Sequence, residues 1–286
     1  MLDDLLRCHD GVITMAQAQA IGLSYDAVEW RVHSRHWRRC ARGVYFVDDR
    51  PFTEAARIRA SVWGHGTRAT ASGLAAAWWL DLTKFAPDVV EVTVPRNSHG
   101  RRHAGCRVRR RDLDPTDVME RRGLRVTDLP LTVVEAAVRP GGGPSLMDSA
   151  LQRHTELRAL WEAHLRNKGR YGSPAARRLL QAARDGARSE AERIFARLLT
   201  RAGITGWKAN HPVAGYKVDF VFTGPKIAIE IDGLAFHSDA DDFQRDRVRQ
   251  NTIALAGWQV LRFTWIDLTE YPERVLAEVK RAISAR

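Results

Sequence analysis

The most constraining feature of this sequence is a pair of apolar segments near its carboxyl end that carry acidic residues at alternating positions. The first segment runs Tyr216-Lys-Val-Asp-Phe-Val-Phe222, and the second runs Lys226-Ile-Ala-Ile-Glu-Ile-Asp232. Side chains alternate between the two faces of a β-strand, so the pattern predicts a hairpin with Glu230 and Asp232 opposite the isoleucines. Carboxylates beside an apolar sheet need compensation, and a divalent cation is the usual source.

Further elements on either side of the hairpin extend the predicted domain. Ser189-Glu-Ala-Glu192 has the spacing of a capping box, so we expect a helix to begin there. Another helix is predicted over residues 240–256, followed by Gly257, and a closing strand over residues 258–264. Helix, strand, strand, helix and strand is the core order of the PD-(D/E)XK (restriction-endonuclease-like) fold.

Four residues of this segment combine into a hypothesis about chemistry. Asp219, Glu230 and Asp232 supply the oxygen donors that Mg²⁺ binds, with Mn²⁺ as an alternative metal. His237, five residues after Asp232, is placed to act as a general base or to orient the attacking water. The alternative is that the carboxylates simply face solvent on an edge strand.

The same segment resembles a known superfamily. The resemblance rests on Val218-Asp-Phe-Val-Phe, Ile229-Glu-Ile-Asp-Gly, His237, Phe243-Gln-Arg-Asp-Arg-Val-Arg249 and Gly257-Trp-Gln-Val-Leu-Arg262. These residues resemble the very-short-patch-repair (Vsr-like) endonucleases over about residues 189–284.

The resemblance implies a role for each matching position. It makes Asp219 the primary metal ligand, Glu230 the second acidic position and His237 a catalytic histidine, and it places Glu192 on the acidic position of the first helix. Asp232 departs from the pattern, because the repair enzymes carry histidine there and the general nuclease motif carries lysine. We further expect Arg247, Arg249 and Arg262 either to hold DNA phosphates or to brace the carboxylates.

Positive charge is concentrated ahead of this segment. The chain has 286 residues and a formal net charge of +11. Residues 1–188 hold 31 Lys and Arg against 21 Asp and Glu, whereas residues 189–286 hold 14 against 13. An excess of this size favours an anionic partner, so we expect the first two thirds of the chain to hold double-stranded DNA.

The first fifty residues have the pattern of a winged helix-turn-helix. An apolar face predicts a first helix, a capping box at Thr14-Met-Ala-Gln17 predicts a second, and Ser24 is placed to cap a third. The alternating segment Trp37–Val47 predicts a hairpin, which would be the wing. In such folds the third helix enters the major groove and the wing meets the backbone.

We expect the DNA contacts of this region to come from the third helix and the hairpin: Tyr25, Arg31, His33, Arg35, Arg38, Arg39 and Arg42. A helical protein-interaction module is the alternative, and the acidic residues Asp26 and Glu29 on the third helix favour it.

A second resemblance covers about residues 1–165. It rests on Gly11-Val-Ile-Thr, Gly22-Leu-Ser, Trp37-Arg-Arg, Arg42-Gly-Val-Tyr45, Val90-Glu-Val-Thr-Val-Pro95 and Gly123-Leu-Arg-Val-Thr-Asp-Leu-Pro130. These motifs resemble AbiEi-type antitoxins of abortive-infection systems. The resemblance implies DNA binding and autoregulation, and it leaves open whether a cognate toxin is a partner.

The middle region is predicted to be α+β. Strands are expected over Val90–Val94 and Cys106–Arg110, and helices over Glu54–Trp63, residues 69–80 and residues 131–138. Its arginines form the densest basic segment: Arg101, Arg102, Arg107, Arg109, Arg110 and Arg111. Such a segment is typical either of a solvated strand face or of a surface that follows the phosphates of a nucleic acid. If it is the second, we expect the DNA contacts to come from Arg101, Arg102, Arg109 and Arg111.

The sequence therefore predicts an α+β multidomain protein of three parts. These are a winged helix-turn-helix over residues 1–50, an α+β middle region with a helical linker over 51–188, and a Vsr-like endonuclease domain over 189–286. The leading hypothesis is a Mg²⁺-dependent DNA endonuclease. A non-catalytic repressor or antitoxin with an inert nuclease fold is the alternative, and RNA cleavage is a third reading. A homodimer is left open.

The remaining sequence signals concern location. Cys8, Cys40 and Cys106 are widely spaced and lack a CxxC pair, which is typical of reduced thiols. The longest apolar segments are far shorter than the roughly 20 residues of a membrane-spanning helix. We therefore expect a cytoplasmic bacterial protein.

Overall fold

The computed structural model describes residues 1–98, 104–232 and 240–286, with the side chains of residues 240–243 and 245 left out of the description. The chain divides into two compact units, Met1–Ala176 and Arg177–Arg286. Each unit has sheets and helices of its own, so the architecture is mixed α and β.

The first unit begins with three short helices and a three-stranded antiparallel sheet in the strand order β1-β3-β2. Its elements are α1 (Leu2–Cys8), β1 (Val12–Thr14), α2 (Met15–Ala20), α3 (Tyr25–His33), β2 (Trp37–Ala41) and β3 (Val44–Val47). The capping box predicted at Thr14 is present, since Thr14 Oγ1 accepts from Gln17 N and Gln17 Oε1 accepts from Thr14 N. Ser24 caps α3 through Ala27 N, as predicted. The short strand β1 was not predicted.

The rest of the first unit is a five-stranded sheet with helices around it, in the strand order β6-β5-β4-β8-β7. The elements are α4 (Glu54–Trp63), β4 (Thr70–Ala71), α5 (Gly73–Trp79), β5 (Val90–Val94), β6 (Cys106–Arg110), a 3-10 turn (Pro115–Asp117), β7 (Val118–Arg121), β8 (Leu124–Thr127), α6 (Leu129–Ala136), α7 (Pro144–Arg153) and α8 (Leu157–Arg166). The strands β5 and β6 and the helix α4 have the predicted bounds. The helix expected over residues 69–80 is wrong at its start, because residues 70–71 pair with β5 and β8 as strand β4.

The two faces of this sheet differ in chemistry. Val90, Val92 and Val94 pack with α4 and α5 in an apolar cluster that also contains Trp79. Glu91 and Thr93 point to the opposite face, where both are buried. Trp79 is fully buried in this core, and its indole donates to Arg121 O at 2.8 Å.

Glu91 is possible at its position only because Gly73 lies against it. Gly73 has a φ of +56°, and a Cβ atom at this glycine would overlap Glu91 Oε2. The left-handed backbone conformation and the close approach both require glycine. The first turn of α5 is therefore shaped around a buried carboxylate.

A buried arginine joins the first helices to the five-stranded sheet. The side chain of Arg59 on α4 is 1% exposed and pairs with Asp10 at 2.8 Å. It also donates to Arg122 O at 2.8 Å, and its guanidinium lies over the rings of Trp63 and Trp79. The segment around Asp10 and the β7–β8 turn are thus held by one side chain.

The second unit contains a four-stranded sheet in the order β12-β11-β10-β9, in which β11 and β12 are parallel and the other pairs antiparallel. Its elements, with the helix that leads into it, are α9 (Ser173–Arg201), β9 (Trp207–Val213), β10 (Tyr216–Phe222), β11 (Ile227–Asp232), α10 (Ala240–Leu255), β12 (Gln259–Thr264), α11 (Trp265–Glu270) and α12 (Pro272–Ser284). The predicted hairpin β10–β11 and closing strand are present. The strand β9 was not predicted.

The prediction that a helix begins at Ser189 is wrong. Residues 173–201 form one uninterrupted helix, so Ser189 lies in its interior and caps no terminus. Gly186 inside this helix costs about 1 kcal/mol relative to alanine, too little to end a 29-residue helix that packs Phe195 and Leu199 into the core. The core of this unit is otherwise built from the isoleucines of β11 and from α12.

None of the helices within the described ranges combines the length and the apolar character needed to cross a bilayer.

Candidate functional site

Two buried carboxylates lie side by side on the central strands of the second unit. The register of β10 and β11 pairs Phe220 with Ile229, which places Asp219 beside Glu230 on the same face of the sheet. Asp219 is 3% exposed and Glu230 is 9% exposed. Asp219 Oδ2 accepts the backbone N–H of Ile231 at 2.9 Å, which fixes the orientation of its carboxylate. Glu230 therefore lies on the face of the sheet opposite the isoleucines, as predicted.

The second oxygen of Asp219 faces an arginine from α9. Arg188 Nη2 donates to Asp219 Oδ1, and Arg188 Nε donates to Glu192 Oε1 at 3.2 Å. Burial lowers the pKa of Arg188, but the charges of Asp219, Glu192 and Glu230 outweigh it and the pKa lies above its usual value. One guanidinium therefore stands among three carboxylates.

Glu230 is held by an arginine from α10. Arg249 Nη2 donates to Glu230 Oε1 at 2.6 Å and to Lys217 O at 2.7 Å. Burial raises the pKa of Glu230 to about 7; Arg249 lowers it, and the neighbouring Asp219 raises it further. This glutamate is thus a carboxylate whose charge is incompletely compensated by the protein.

Asp232 lies at the end of β11 and has a different environment. Arg262 on β12 binds both of its oxygens, with Nε to Oδ2 at 2.8 Å and Nη2 to Oδ1 at 2.7 Å. Arg262 also donates to Asp246 Oδ2 at 2.8 Å. These hydrogen bonds raise the pKa of Arg262 above its usual value. Arg262 braces the carboxylates, as expected, and both oxygens of Asp232 are engaged by it.

An open cavity of about 460 Å³ lies against this cluster. Its lining includes Asp219, Glu192, Arg188, Arg249 and Lys217. Asp219 and Glu192 therefore face a space large enough for a phosphate group and its water. His237 lies outside the described residues. Among the side chains that the structure describes, no three His, Cys, Asp or Glu residues converge as a ready-made metal site.

The donor chemistry nevertheless fits a magnesium ion. Mg²⁺ keeps several waters and is commonly held by one or two carboxylates together with substrate phosphates, and Asp219 with Glu230 provides that pair. Glu192, which also lines the cavity, adds an oxygen donor. The incomplete compensation around Glu230 is the electrostatic situation that a cation relieves.

The residues expected to contact DNA in the first fifty positions are largely exposed on α3 and the β2–β3 hairpin. Tyr25, His33, Arg35, Arg38, Arg39 and Arg42 are exposed, and Arg31 is partly buried over the ring of Trp37. Arg39 pairs with Glu29 at 2.6 Å, so the acidic residue on α3 is neutralised from the hairpin. Within the described part of the chain, the guanidinium groups of Arg35 and Arg42 have no ion pair or hydrogen bond.

The middle arginines divide into three groups. Arg101 and Arg102 lie outside the described residues. Arg109 pairs with the buried Glu91 at 3.2 Å, and Arg111 pairs with the buried Glu135. Arg110 donates to Ser98 O at 2.9 Å. Arg109 is thus engaged with a buried carboxylate of the sheet, and Arg111 with a buried carboxylate of α6. In the second unit Arg247 is exposed on α10, whereas Arg249 faces Glu230.

Arg188 is the functional candidate that the sequence analysis missed. It lies four residues before Glu192, and residues at this spacing share a helix face. The signal was present but hidden, because the helix was expected to begin one residue after Arg188. Lys217 was missed as well, since a lone lysine on a strand has no distinguishing pattern.

Comparison with protein families gives a match to a restriction-endonuclease-like family within the second unit. Residues 192–283 match the family model REase_MTES_1575. Two curated proteins of Mycobacterium tuberculosis, Uncharacterized protein MT2308 of strain CDC 1551 / Oshkosh and Uncharacterized protein Rv2248 of strain H37Rv, are each 27% identical to this chain over 158 residues. The alignment covers 52% of this chain and 58% of each relative, so the chain spans little more than half the length of these relatives.

Two solved structures are also similar. The Homing Endonuclease I-Bth0305I Catalytic Domain is 23% identical, covers 33% of this chain and 94% of that chain, and has a TM-score of 0.29. The RV2827C protein from Mycobacterium tuberculosis is 17% identical, covers 63% of this chain and 74% of that chain, and has a TM-score of 0.39. The family match alone carries the assignment: residues 192–283 form a restriction-endonuclease-like domain.

Proposed function

We propose that this protein is a metal-dependent DNA endonuclease whose first fifty residues, a winged helix-turn-helix, hold the DNA. The observation that carries the proposal is the pair Asp219 and Glu230, two buried carboxylates side by side on neighbouring strands of a restriction-endonuclease-like domain. Such a pair is unfavourable for stability unless it serves a cation, because two buried negative charges repel each other.

The residues of the cavity have separate tasks in this proposal. Asp219 and Glu230 would hold a Mg²⁺ or Mn²⁺ ion, with Glu192 as an additional oxygen donor. When bound, the ion supplies charge stabilisation to the scissile phosphate and lowers the pKa of a coordinated water. Lys217 and Arg249 lie where they can attract the phosphate oxygens. His237, by its position in the sequence, would take the proton of the attacking water. Asp232 would orient Arg262.

The DNA-holding part of the proposal rests on the first fifty residues. Their helices and hairpin follow the order of a winged helix-turn-helix, and the exposed residues of α3 and the hairpin include Tyr25, Arg35 and Arg42. The resemblance to AbiEi-type antitoxins supports the same reading. The pairing of Arg39 with Glu29 removes a negative charge that would repel phosphates.

The test is a nicking assay on supercoiled, mismatched and single-stranded DNA with Mg²⁺ or Mn²⁺. We expect wild type to cut, and Asp219→Asn or Glu230→Gln to lose about 10³-fold or more, because charge stabilisation of the phosphate is lost. Glu190→Gln is the matched control, since Glu190 is an exposed glutamate of α9 that pairs only with neighbours on its own helix. Cleavage that survives Asp219→Asn would contradict the proposal. The same assay on RNA shows whether the protein cleaves DNA or RNA.

A second candidate function is supported by the arginines of the same cluster. Asp219, Glu230 and Asp232 each accept from a guanidinium, and Asp232 occupies the position where the nuclease motif carries lysine. A domain in which arginines permanently replace the cation would be inert, and the chain would then be a DNA-binding repressor or antitoxin. This candidate predicts selective, salt-sensitive binding to its own promoter and no metal-dependent nicking. The two candidates are thus separated by one assay.

A further inference from the structure

A second cavity lies in the first unit, at one end of the polar face of the five-stranded sheet. Its volume is about 290 Å³, and its polar lining is Arg68, Thr70, Thr93, Arg111, Asp112 and Arg125. Valine, proline and leucine side chains complete the wall. None of its residues belongs to the carboxylate cluster of the second unit.

The sheet register brings these side chains together. Thr70 pairs with Thr93 across β4 and β5, and Ala71 pairs with Val126 across β4 and β8, so Arg125 lies beside Thr70. Arg68 lies in the turn two residues before Thr70, and its side chain also lines the cavity. The hydroxyls of Thr70 and Thr93 therefore lie close to the side chains of Arg68 and Arg125.

The cavity has positive charge that the protein leaves uncompensated. Within the described part of the chain, the guanidinium groups of Arg68 and Arg125 form no ion pair and no hydrogen bond, and both residues are exposed. Arg111 pairs with Glu135, but its Nε is buried without an acceptor. The one acidic side chain of the lining, Asp112, accepts the backbone N–H of Arg96 at 3.2 Å.

The neighbouring arginines on the same face show how unusual this is. Arg107, Arg109 and Arg139 all contact Glu91 within 3.2 Å. Within the described residues, these three arginines have a carboxylate partner, whereas Arg68 and Arg125 have none. The last two guanidinium groups are therefore available to an acceptor from outside the protein.

We propose that this cavity binds the phosphate group of a nucleotide-sized phosphate ester. Guanidinium groups bind phosphate oxygens in a bidentate manner. The Thr70 hydroxyl, whose bond to Arg68 O is long at 3.5 Å, can donate to a third oxygen, whereas the Thr93 hydroxyl already donates to Ser72 Oγ at 3.0 Å. The apolar wall suits a sugar or a base, and about 290 Å³ is close to the lower limit of small-ligand pockets, which favours a mononucleotide over a dinucleotide. The phosphate can come from a free nucleotide or from a DNA strand.

The experiment is calorimetric titration of the full chain with inorganic phosphate, with dAMP and with a short DNA duplex, at one fixed salt concentration. The variant is Arg68→Gln combined with Arg125→Gln. The matched control is Lys84→Gln combined with Arg153→Gln, which removes two exposed cations of the same unit outside the cavity. Thr70→Val is a third variant that keeps the side-chain shape and both charges.

We expect the cavity variant to bind dAMP about tenfold more weakly or worse, Thr70→Val to bind it several-fold more weakly, and the control to stay within about twofold. Loss of dAMP binding with unchanged duplex binding identifies a free nucleotide as the source. Weaker duplex binding, with little dAMP binding in wild type, identifies the DNA strand. The proposal is overturned if wild type binds neither phosphate nor dAMP and the cavity variant binds the duplex as tightly as wild type.

A thermal unfolding scan without ligand shows whether each variant is folded. The outcome is independent of nuclease activity, because the titrations contain EDTA and concern residues of the first unit alone. Failure of the nicking assay therefore leaves this proposal standing, and the reverse also holds.

Discussion

Two glutamates of the molecule have the same position in their sheets and opposite electrostatics. Glu91 and Glu230 both lie inside a core strand and are both buried, at 4% and 9% exposure. Burial raises the pKa of Glu91, but Arg139 and Arg109 outweigh it and the pKa lies below its usual range. Burial raises the pKa of Glu230 to about 7, and among the described residues Arg249 is the one arginine that contacts it. Glu91 and Glu230 therefore differ in the number of guanidinium groups that contact them.

This difference distinguishes a structural carboxylate from a functional one. Glu91 has three arginines around it, so its charge is neutralised within the protein and contributes to the packing of the first unit. Glu230 shares its face with a second carboxylate and has one arginine, so negative charge is left over beside a cavity. Burial by itself therefore does not identify a functional carboxylate; the local charge balance does.

The largest effect is expected from Glu91→Gln. The change leaves Arg139, whose side chain is 5% exposed, without a charged partner, and breaking a buried ion pair costs about 3 kcal/mol or more. Urea unfolding, followed by hydrogen exchange at β5, measures the loss. Arg107→Gln is the control, because Arg107 is half exposed and its pairing is worth less than about 1 kcal/mol. A neutral Glu91→Gln would show that the arginines need no internal counter-charge.

The same substitution at Glu230 is expected to have the opposite sign. The folded-state pKa of about 7 lies above the usual 4.5, so the folded protein prefers the protonated form and loses stability as the pH rises from about 4.5 to 7. At pH 8 in EDTA, Glu230→Gln should therefore stabilise the second unit by up to about 2 kcal/mol. At pH 4 the gain should vanish. Destabilisation at pH 8 would place Glu230 in the same class as Glu91.

A third change tests whether Arg188 competes with a cation. Arg188 contacts Asp219 and Glu192, so Arg188→Gln should raise the affinity for Mn²⁺ about tenfold by calorimetric titration. Arg193→Gln is the control, since Arg193 pairs with Glu190 on the outer surface of the same helix. Unchanged or weaker Mn²⁺ binding in Arg188→Gln would mean that this arginine supports the site instead.

The smallest effect concerns Asp128, a partly buried carboxylate of the first unit with no guanidinium contact among the described residues. Asp128 caps α6 through Leu131 N at 3.1 Å, and burial raises its pKa to about 6. Because the folded-state pKa is raised, stability falls as the pH rises from about 4 to 6. Asp128→Asn keeps the cap and should add about 1 kcal/mol at pH 8, after allowance for solvent screening, and nothing at pH 3.

Asp114 provides the contrast for that measurement. It caps the turn at Pro115–Asp117, and the hydrogen bonds from Thr116 lower its pKa. Asp114→Asn should lower stability at pH 8, in the opposite direction from Asp128→Asn. If both changes act alike, cap geometry rather than charge controls these positions.

The elements that the sequence predicted well are those with a local cause. The alternating residues of β5, β6, β10 and β11 give each strand its bounds, and the caps at Thr14 and Ser24 set the starts of α2 and α3. The same local signal was misleading at Ser189, where Ser and Glu at capping-box spacing lie within α9. A capping box marks a helix start only where the preceding residues leave the helical conformation.

The charge pairings of the candidate site could not be predicted, because their partners are far apart in the sequence. Arg139 and Glu91 are 48 residues apart, and Arg188 and Asp219 are 31 residues apart. The sequence indicated that Asp219 and Glu230 lie on neighbouring strands and offered Arg249 as a brace for a carboxylate, yet it contained no sign that Arg188 would contact Asp219. Long-range pairings depend on the assembled sheet, which local patterns do not define.

The contact between Gly73 and Glu91 has a consequence for how this sequence can vary. Even alanine at position 73 would displace the carboxylate, and a displaced carboxylate would leave Arg139 unpaired in the core. We therefore expect the identities of Gly73, Glu91 and Arg139 to be coupled, so that no single replacement among them is neutral. A saturation mutagenesis library should recover almost no tolerated substitution at position 73, although glycine at a helix start is ordinarily among the easiest residues to replace.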